Sequence, residues 1–409
     1  MSTPIAAISG AMTASGLAAI RDVGRAGFRV IGASPRRPAF HAHSRWSLRY
    51  LELPPPRDTA MLLDLLAQAR VEVMLPMESS YVGALSRHAA GNELPLRAAV
   101  PPLEGFLCAY DNRRTLELCR RLEIPAPRLL RPEEVKDTVV VKPREDVGAA
   151  RGVAFCRDAA ALSEALAACR SYGEPLIQEY IPGATEAMRT VILLFDQRTR
   201  LVAYFTTQKL EQYPGSGGVT AMSVSTDDRT LVEMVLPLFE VLRWRGPAEI
   251  ELKIDARNGK ANVIEINPRL PGYIAFASDC GLHLPRLAIQ VALGETPSFS
   301  GYALGRRYVQ PVLVLKSLVR AWLAGTATTK RLRRDCSALL SAPWVRWDDV
   351  VDPMPRLAKA FTEASGGDVG LATEHGLRLV DLERTSLGET SGVDGTGGGH
   401  AHSVSVSNA

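Results

Sequence analysis

The stretch Gly246 to Gly272, GPAEIELKIDARNGKANVIEINPRLPG, alternates so strictly that few folds can hold it. In its first arm Ile250, Leu252 and Ile254 share one face, and Glu249, Glu251, Lys253 and Asp255 the other. In the second arm Ile264 and Ile266 take the apolar face, leaving Glu265 and Asn267 on the polar one. Asn258-Gly259 marks a turn between them. A two-residue loop there would pair Glu251 with Ile266 and bury a carboxylate. A three-residue loop, Arg257 to Gly259 with Gly259 in the left-handed region, pairs Glu251 with Glu265 and Glu249 with Asn267. The second register is the expected one.

Directly opposed carboxylates sit roughly 5 Å apart at Cβ and repel each other. A solvated hairpin face could tolerate them; a hard cation would use them. Glu251, Glu265 and the Asn267 amide offer oxygen ligands only. Such a set suits Mg²⁺, which keeps waters and phosphate oxygens in its other positions. Pro268 stops the strand, and Arg269 supplies a planar fork beside the ligands, suited to an anionic oxygen.

The N-terminal hundred residues have a different rhythm. A short apolar strand, Pro4 to Ser9, precedes a helical pattern from Leu17 to Ala26 and a strand from Phe28 to Ala33. A helix near Asp58 to Gln68, a strand Val71 to Pro76 and a helix Tyr81 to Ala90 continue a small parallel α/β unit. The loop Gly10-x5-Gly16 lacks the G-x-G-x-x-G spacing, so the unit is Rossmann-like without a dinucleotide site. Ser44-Arg45 and Met77-Glu78 follow strand-like stretches, where open α/β sheets place ligands; loop capping and surface charge are the favoured reading, and substrate contact the alternative.

A helix over Asp111 to Leu122 breaks at Ile124-Pro-Ala-Pro127. The strand Thr138 to Lys142 then runs into a loop carrying Arg144, Gly148, Arg151 and Gly152, which can close over phosphates. It is not a P-loop, whose pattern the chain lacks. A helix Ala159 to Ser171, a strand Pro175 to Ile181 and strands at Leu193–Phe195 and Leu201–Phe205 follow. Lys209 to Gly218 is glycine-rich and is expected to be a loop lining a pocket. Leu231 to Leu242, Tyr273 to Cys280 and Leu284 to Leu293 are expected helices.

With 409 residues, the chain has room for two or three domains. Its net charge of +4 gives no support to a nucleic-acid partner. Six scattered cysteines without a C-x-x-C argue for reduced thiols and a cytoplasmic location. No basic segment precedes the first apolar residues, as a secretory signal would need. The apolar stretch Val309 to Trp322 is below the ~18 residues of a membrane span, and Lys330-Arg-Leu-Arg-Arg334 is expected to be a solvated helix face. A membrane-surface role is the less favoured alternative, since a polybasic patch alone anchors weakly. The Gly/Ser-rich stretch 388–409 is expected to be disordered.

Taken in order, these pieces resemble the ATP-grasp superfamily, and within it the carboxylate–amine ligases, over roughly Ile5 to Gly294. Val141-Lys142-Pro143 with Ala149 to Val153 is similar to the family's phosphate-covering hairpin. Gln178 to Gly183 resembles its hinge strand, and Glu251 with Glu265-Ile-Asn-Pro-Arg269 its metal-binding strands. The resemblance implies a mixed α/β and α+β protein. A Rossmann-like pre-ATP-grasp domain (1–105) would precede a two-lobed ATP-grasp domain (106–302) with a mobile small lobe at about 114–183. A C-terminal helical extension (303–387) would follow.

The resemblance also implies site roles. Lys142 and Arg151 would serve the phosphates, and Lys142 and Arg269 the transferring phosphoryl group. Glu179 and Ile181 would present backbone groups to the adenine beside Gln178, and Glu186 would take the ribose hydroxyls. Glu251, Glu265 and Asn267 would hold two Mg²⁺ ions, with Mn²⁺ a substitute. The expected activity is ATP-dependent joining of a small-molecule carboxylate to an amine through an acyl phosphate, releasing ADP and phosphate. Two alternatives share the site: a kinase-like phosphotransferase, and a nucleotide-binding regulator without turnover. One departure matters: relatives carry a lysine where Asn112 stands, leaving Arg113 or Arg114 to replace the charge. A homo-oligomer is left open.

Overall fold

Short apolar runs separated by amphipathic stretches build the first layer. They form β1 (Ile5–Ile8), α1 (Ala14–Arg25), β2 (Arg29–Ser34), β3 (Ser47–Glu52), α2 (Thr59–Gln68), β4 (Val73–Leu75) and α3 (Ser79–Gly91). The computed structural model describes residues 3–35, 43–148, 150–214, 217–342 and 347–357. The four strands pair in parallel in the order β3-β2-β1-β4, the open α/β sheet that the pattern predicts. β3 was not expected, because only Leu48 and Leu51 break its polar run; pairing to β2 makes it a strand.

α4 (Leu103–Tyr110) and α5 (Asn112–Arg121) lead into a small antiparallel sheet. It consists of β5 (Leu129–Leu130), β6 (Val139–Pro143), β7 (Ala154–Cys156) and β8 (Pro175–Glu179), in the order β5-β8-β6-β7. α6 (Ala159–Cys169) covers one face, burying Leu162, Ala165 and Cys169 against Val139, Val141 and Ile177.

The large sheet holds β9 (Met188–Phe195), β10 (Leu201–Tyr213), β11 (Val219–Thr226), β12 (Gly246–Ile254), β13 (Ala261–Asn267) and β14 (Arg307–Val309). Its order is β13-β12-β9-β10-β11-β14. α7 (Arg229–Val241) closes one face, where Phe239 meets Trp244 edge-on at 5.3 Å and stacks on Phe195 at 5.1 Å. α8 (Ala275–Asp279) and α9 (Leu284–Ala292) cover the other, in a core shared with α1, β1 and β4. α10 (Pro311–Leu323), α11 (Thr329–Ser341) and α12 (Trp347–Val351) follow.

The stretch from Lys209 corrects the expected loop. β10 continues to Tyr213 and pairs Lys209 with Ser223 and Gln212 with Thr220, through two irregularities. Glycine content favoured a loop, but hydrogen bonding to an unforeseen β11 makes this segment a strand. Gly215, Ser216 and Ala149 lie outside the described residues, as does the 388–409 tail.

At the root of β12, Gly246 has φ +78°, and a Cβ there would sit 1.9 Å from the Ala99 carbonyl oxygen. Both the dihedral and the approach demand glycine. Gly246→Ala is expected to lower unfolding free energy by about 2–4 kcal/mol, read from urea melts.

Candidate active site

The small and large sheets face each other across a cleft of about 2040 Å³, bordered also by the start of α1, the end of β2 and the segment after β4. Its floor is the β12–β13 hairpin. Glu251 pairs with Glu265, Ile250 with Ile266 and Glu249 with Asn267, the register expected from face matching.

The loop that produces this register is not the three-residue one. Asp255 N–H donates to the Lys260 carbonyl at 2.8 Å and Gly259 N–H to the Asp255 carbonyl at 2.7 Å, so residues 256–259 make a four-residue turn. Gly259 is in the left-handed region, φ +72°. Arg257 braces the turn through Asp255 and Glu179. The longer turn shifts pairing by one, and a bulge at Ile264 shifts it back: Glu251 faces Glu265 while Leu252 faces Val263. Val263 therefore takes the core place expected of Ile264, which borders the cleft instead. The bulged Ile264 carbonyl accepts from Lys142 Nζ at 3.2 Å.

Charges converge on this floor. Lys142, buried at the end of β6, donates to Asn112 Oδ1 at 2.7 Å. Burial pushes its pKa down, while Glu265 and Asp146 pull it up. Lys209, buried on β10, lies 3.2 Å from Glu251. Burial raises the Glu265 carboxyl, Glu251 adds to this, and Lys142 opposes it. Burial and then Glu251 push Glu249 up to about 8, against Arg269 and Lys209, while Asn267 Nδ2 donates to it at 3.2 Å.

This has a consequence for the metal-free chain. An unfolded Glu titrates near 4.5, so from there to about pH 8 the folded chain holds more protons at Glu249. Stability is then greatest at the acid end of that window and falls as pH rises to about 8. Thermal melts in chelator are expected to show this fall, and Glu249→Gln to flatten it.

Gln178 and Ile181 border the cleft opposite the floor. The buried Gln178 Oε1 has no hydrogen-bond partner among the described residues. Glu179 turns its carboxylate away, to Arg257 at 2.9 Å and Arg128 at 3.4 Å, and its N–H donates to the Arg128 carbonyl. Arg151 lines the cleft and donates to the Gly148 and Val147 carbonyls. Glu186 and Arg269 line it too.

Neither Arg113 nor Arg114 replaces the missing lysine. Arg113 pairs with Glu174 at 3.4 Å and Arg114 with Asp111 at 3.5 Å, and neither borders the cleft. Both follow Asp111, whose side chain caps α5 by accepting from their backbone N–H groups. Asn112 itself bridges Lys142 to the Pro143 and Arg144 carbonyls.

Met77 and Glu78 border the cleft, and Glu78 accepts from Ser9 Oγ. Ser44-Arg45 does not: Ser44 Oγ and Arg45 N–H donate to the buried Asp352 carboxylate at 2.6 and 2.8 Å. Arg21 donates to the same group at 2.9 Å, so this turn anchors the C-terminal segment.

Sequence reasoning missed the role of Lys209, and of the wall that α10 and α11 add. Lys316, Lys330, Arg331 and Arg334 line the cleft. The basic cluster at 330–334 is therefore only partly a solvated face: Arg331 and Arg334 turn inward to the buried Glu211 and Asp335. Arg334 also meets Glu186 at 2.6 Å. The cluster itself was visible, with Asp335 in the same helix; its buried partner Glu211, more than a hundred residues away, was not.

The chain is similar to known proteins in sequence and in fold. The chain is 27% identical over 267 residues to the carbamoyl phosphate synthase large chain of Thermomicrobium roseum. That match takes in 59% of this chain and spans 24% of the relative's length. Solved structures share the fold. Biotin carboxylase from Campylobacter jejuni superposes with TM-score 0.61 at 16% identity, over 75% of this chain and 74% of its own. L-amino acid ligase from Bacillus licheniformis gives 0.57 at 18%, over 75% and 78%. N5-carboxyaminoimidazole synthetase from Staphylococcus aureus gives 0.61 at 13%, over 74% and 80%. The ATP-grasp domain family matches residues 109–273, the segment holding the small sheet, its hinge strand and the carboxylate floor. Over those residues this chain is similar to the ATP-grasp family.

Proposed function

We propose that this protein is an ATP-dependent ligase that activates a small-molecule carboxylate as an acyl phosphate and joins it to an amine. ADP and phosphate are released. The observation that carries this reading is the Glu251–Glu265 cross-strand pair, set in a cleft beneath Lys142.

The residues fit a nucleotide and its metal. The orphaned Gln178 Oε1 is a polar atom waiting for a donor at the base end, and Ile181 and Ile264 supply apolar surface there. Among the described residues no three His, Cys, Asp or Glu side chains lie close enough to hold a metal unaided. Mg²⁺ commonly rests on one or two carboxylates plus substrate phosphates, the role assigned here to Glu251, Glu265 and Asn267. Two ions so held would offset phosphate charge and polarise the transferring group.

The chain's own residues do the rest. Lys142, its Nζ held by Asn112 and the Ile264 carbonyl, places a fixed cation over the phosphates. Lys209 steadies Glu251, and Arg269 meets the transferring phosphoryl group. Glu186, held by Arg334, meets the ribose. The loop bearing Gly148, Arg151 and Gly152 covers the site and excludes water, which would hydrolyse an acyl phosphate. The free thiols at all six cysteines support a cytoplasmic setting.

The test is ADP release with Mg²⁺-ATP against a crossed panel of small carboxylates, amino acids and amines. ADP that needs both a carboxylate and an amine supports the ligase. ADP with one acceptor alone would replace it by a phosphotransferase, and tight nucleotide binding without turnover by a regulator.

A further inference from the structure

α10 packs on the large sheet through Val314, Ser317 and Ala321, all buried. At 100° per residue, Val312, Leu315, Val319, Trp322 and Leu323 fall within one arc of roughly 100° on the opposite side. Each is 45–73% exposed. Single exposed apolar residues are ordinary; a continuous five-residue stripe ending in an exposed Trp-Leu pair marks an interaction surface.

The charges around the stripe identify what it meets. α10 contains no acidic residue, and Lys316 and Arg320 run along one edge of the stripe. Lys330 and Arg333 are exposed on neighbouring α11. We propose that α10 docks this protein flat onto an anionic lipid surface. The stripe enters the headgroup–acyl boundary, Trp322 sits at the interface, and the basic edge meets lipid phosphates. A second copy seated on this face would bring like charges together, which disfavours self-association there. The 13 residues of α10 make a helix of ~20 Å, too short for the ~30 Å hydrocarbon core, so it lies in the interface rather than across it. Lys316 and Leu313 also border the cleft, so docking sets that cleft wall beside the headgroups.

Co-sedimentation of the full chain, without nucleotide, compares phosphatidylcholine vesicles with vesicles also holding about 30 mol % phosphatidylglycerol. Partition onto the anionic vesicles is expected to be at least ~10-fold stronger and to weaken with added salt. Trp322→Ser combined with Leu323→Ser should lose at least ~10-fold of it, and Arg320→Glu should weaken it. These side chains are exposed, so circular dichroism and the melting midpoint should stay as in the parent. No partition onto either vesicle, or partition undiminished in the Trp322/Leu323 variant, overturns the proposal. So does a dimer that the same variant dissociates, which would assign the face to a second copy.

Discussion

Glu265→Gln is expected to reduce turnover by at least ~10³-fold while leaving the chain folded. The amide keeps the shape of the side chain and its place opposite Glu251, so the hairpin register survives. It removes one of the two charges that would hold the metals against the phosphates. The same charge destabilises the metal-free protein, because burial and Glu251 hold that carboxyl above its ordinary range. Turnover and stability should therefore move in opposite directions: ADP release collapses, while the melting midpoint in chelator stays or rises near neutral pH. A residue needed only for packing would lower both. Near-parental turnover in this variant would remove the metal assignment, and a lower midpoint would mean that Glu265 is held by cations of the chain itself.

Lys142→Met should lower kcat/KM for ATP by about 10²–10³-fold, most of it in nucleotide affinity. Lys142 is buried, and its ammonium lies between Asn112, the Ile264 carbonyl and the carboxylate floor. With neither Arg113 nor Arg114 bordering the cleft, nothing on α5 can take over its charge. Lys142→Arg should not rescue, since a planar guanidinium does not fit contacts built around a compact ammonium. Titration calorimetry with a non-hydrolysable ATP analogue measures the loss directly. Unchanged affinity would place the phosphates elsewhere in the cleft, beside another of its cations such as Arg151 or Lys209.

The pairing at the floor of the candidate site was legible in the chain because a strand has a period of two. Once Ile250 and Ile266 are buried, Glu251 and Glu265 must share the other face. Lys142 at a strand end was an equally local signal, whereas Gln178 was named only through the family resemblance. The parallel N-terminal sheet followed from the same alternation of apolar runs and helical stretches.

What local pattern could not supply were the features made by pairing across distance. The register was anticipated through a three-residue loop, yet it arises from a four-residue turn offset by a bulge, two compensating shifts that leave the same partners opposed. Lys209 became a site residue only because β10 continues through a glycine-rich stretch to pair with β11. Ser44-Arg45 proved to be an anchor for Asp352, more than three hundred residues on. The inward turn of Arg331 and Arg334 depends on the buried Glu211, more than a hundred residues earlier. Side-chain period is a property of neighbouring residues and can be read along the chain. A buried charge is settled by whichever partner the folded chain brings to it, and only the tertiary structure names that partner.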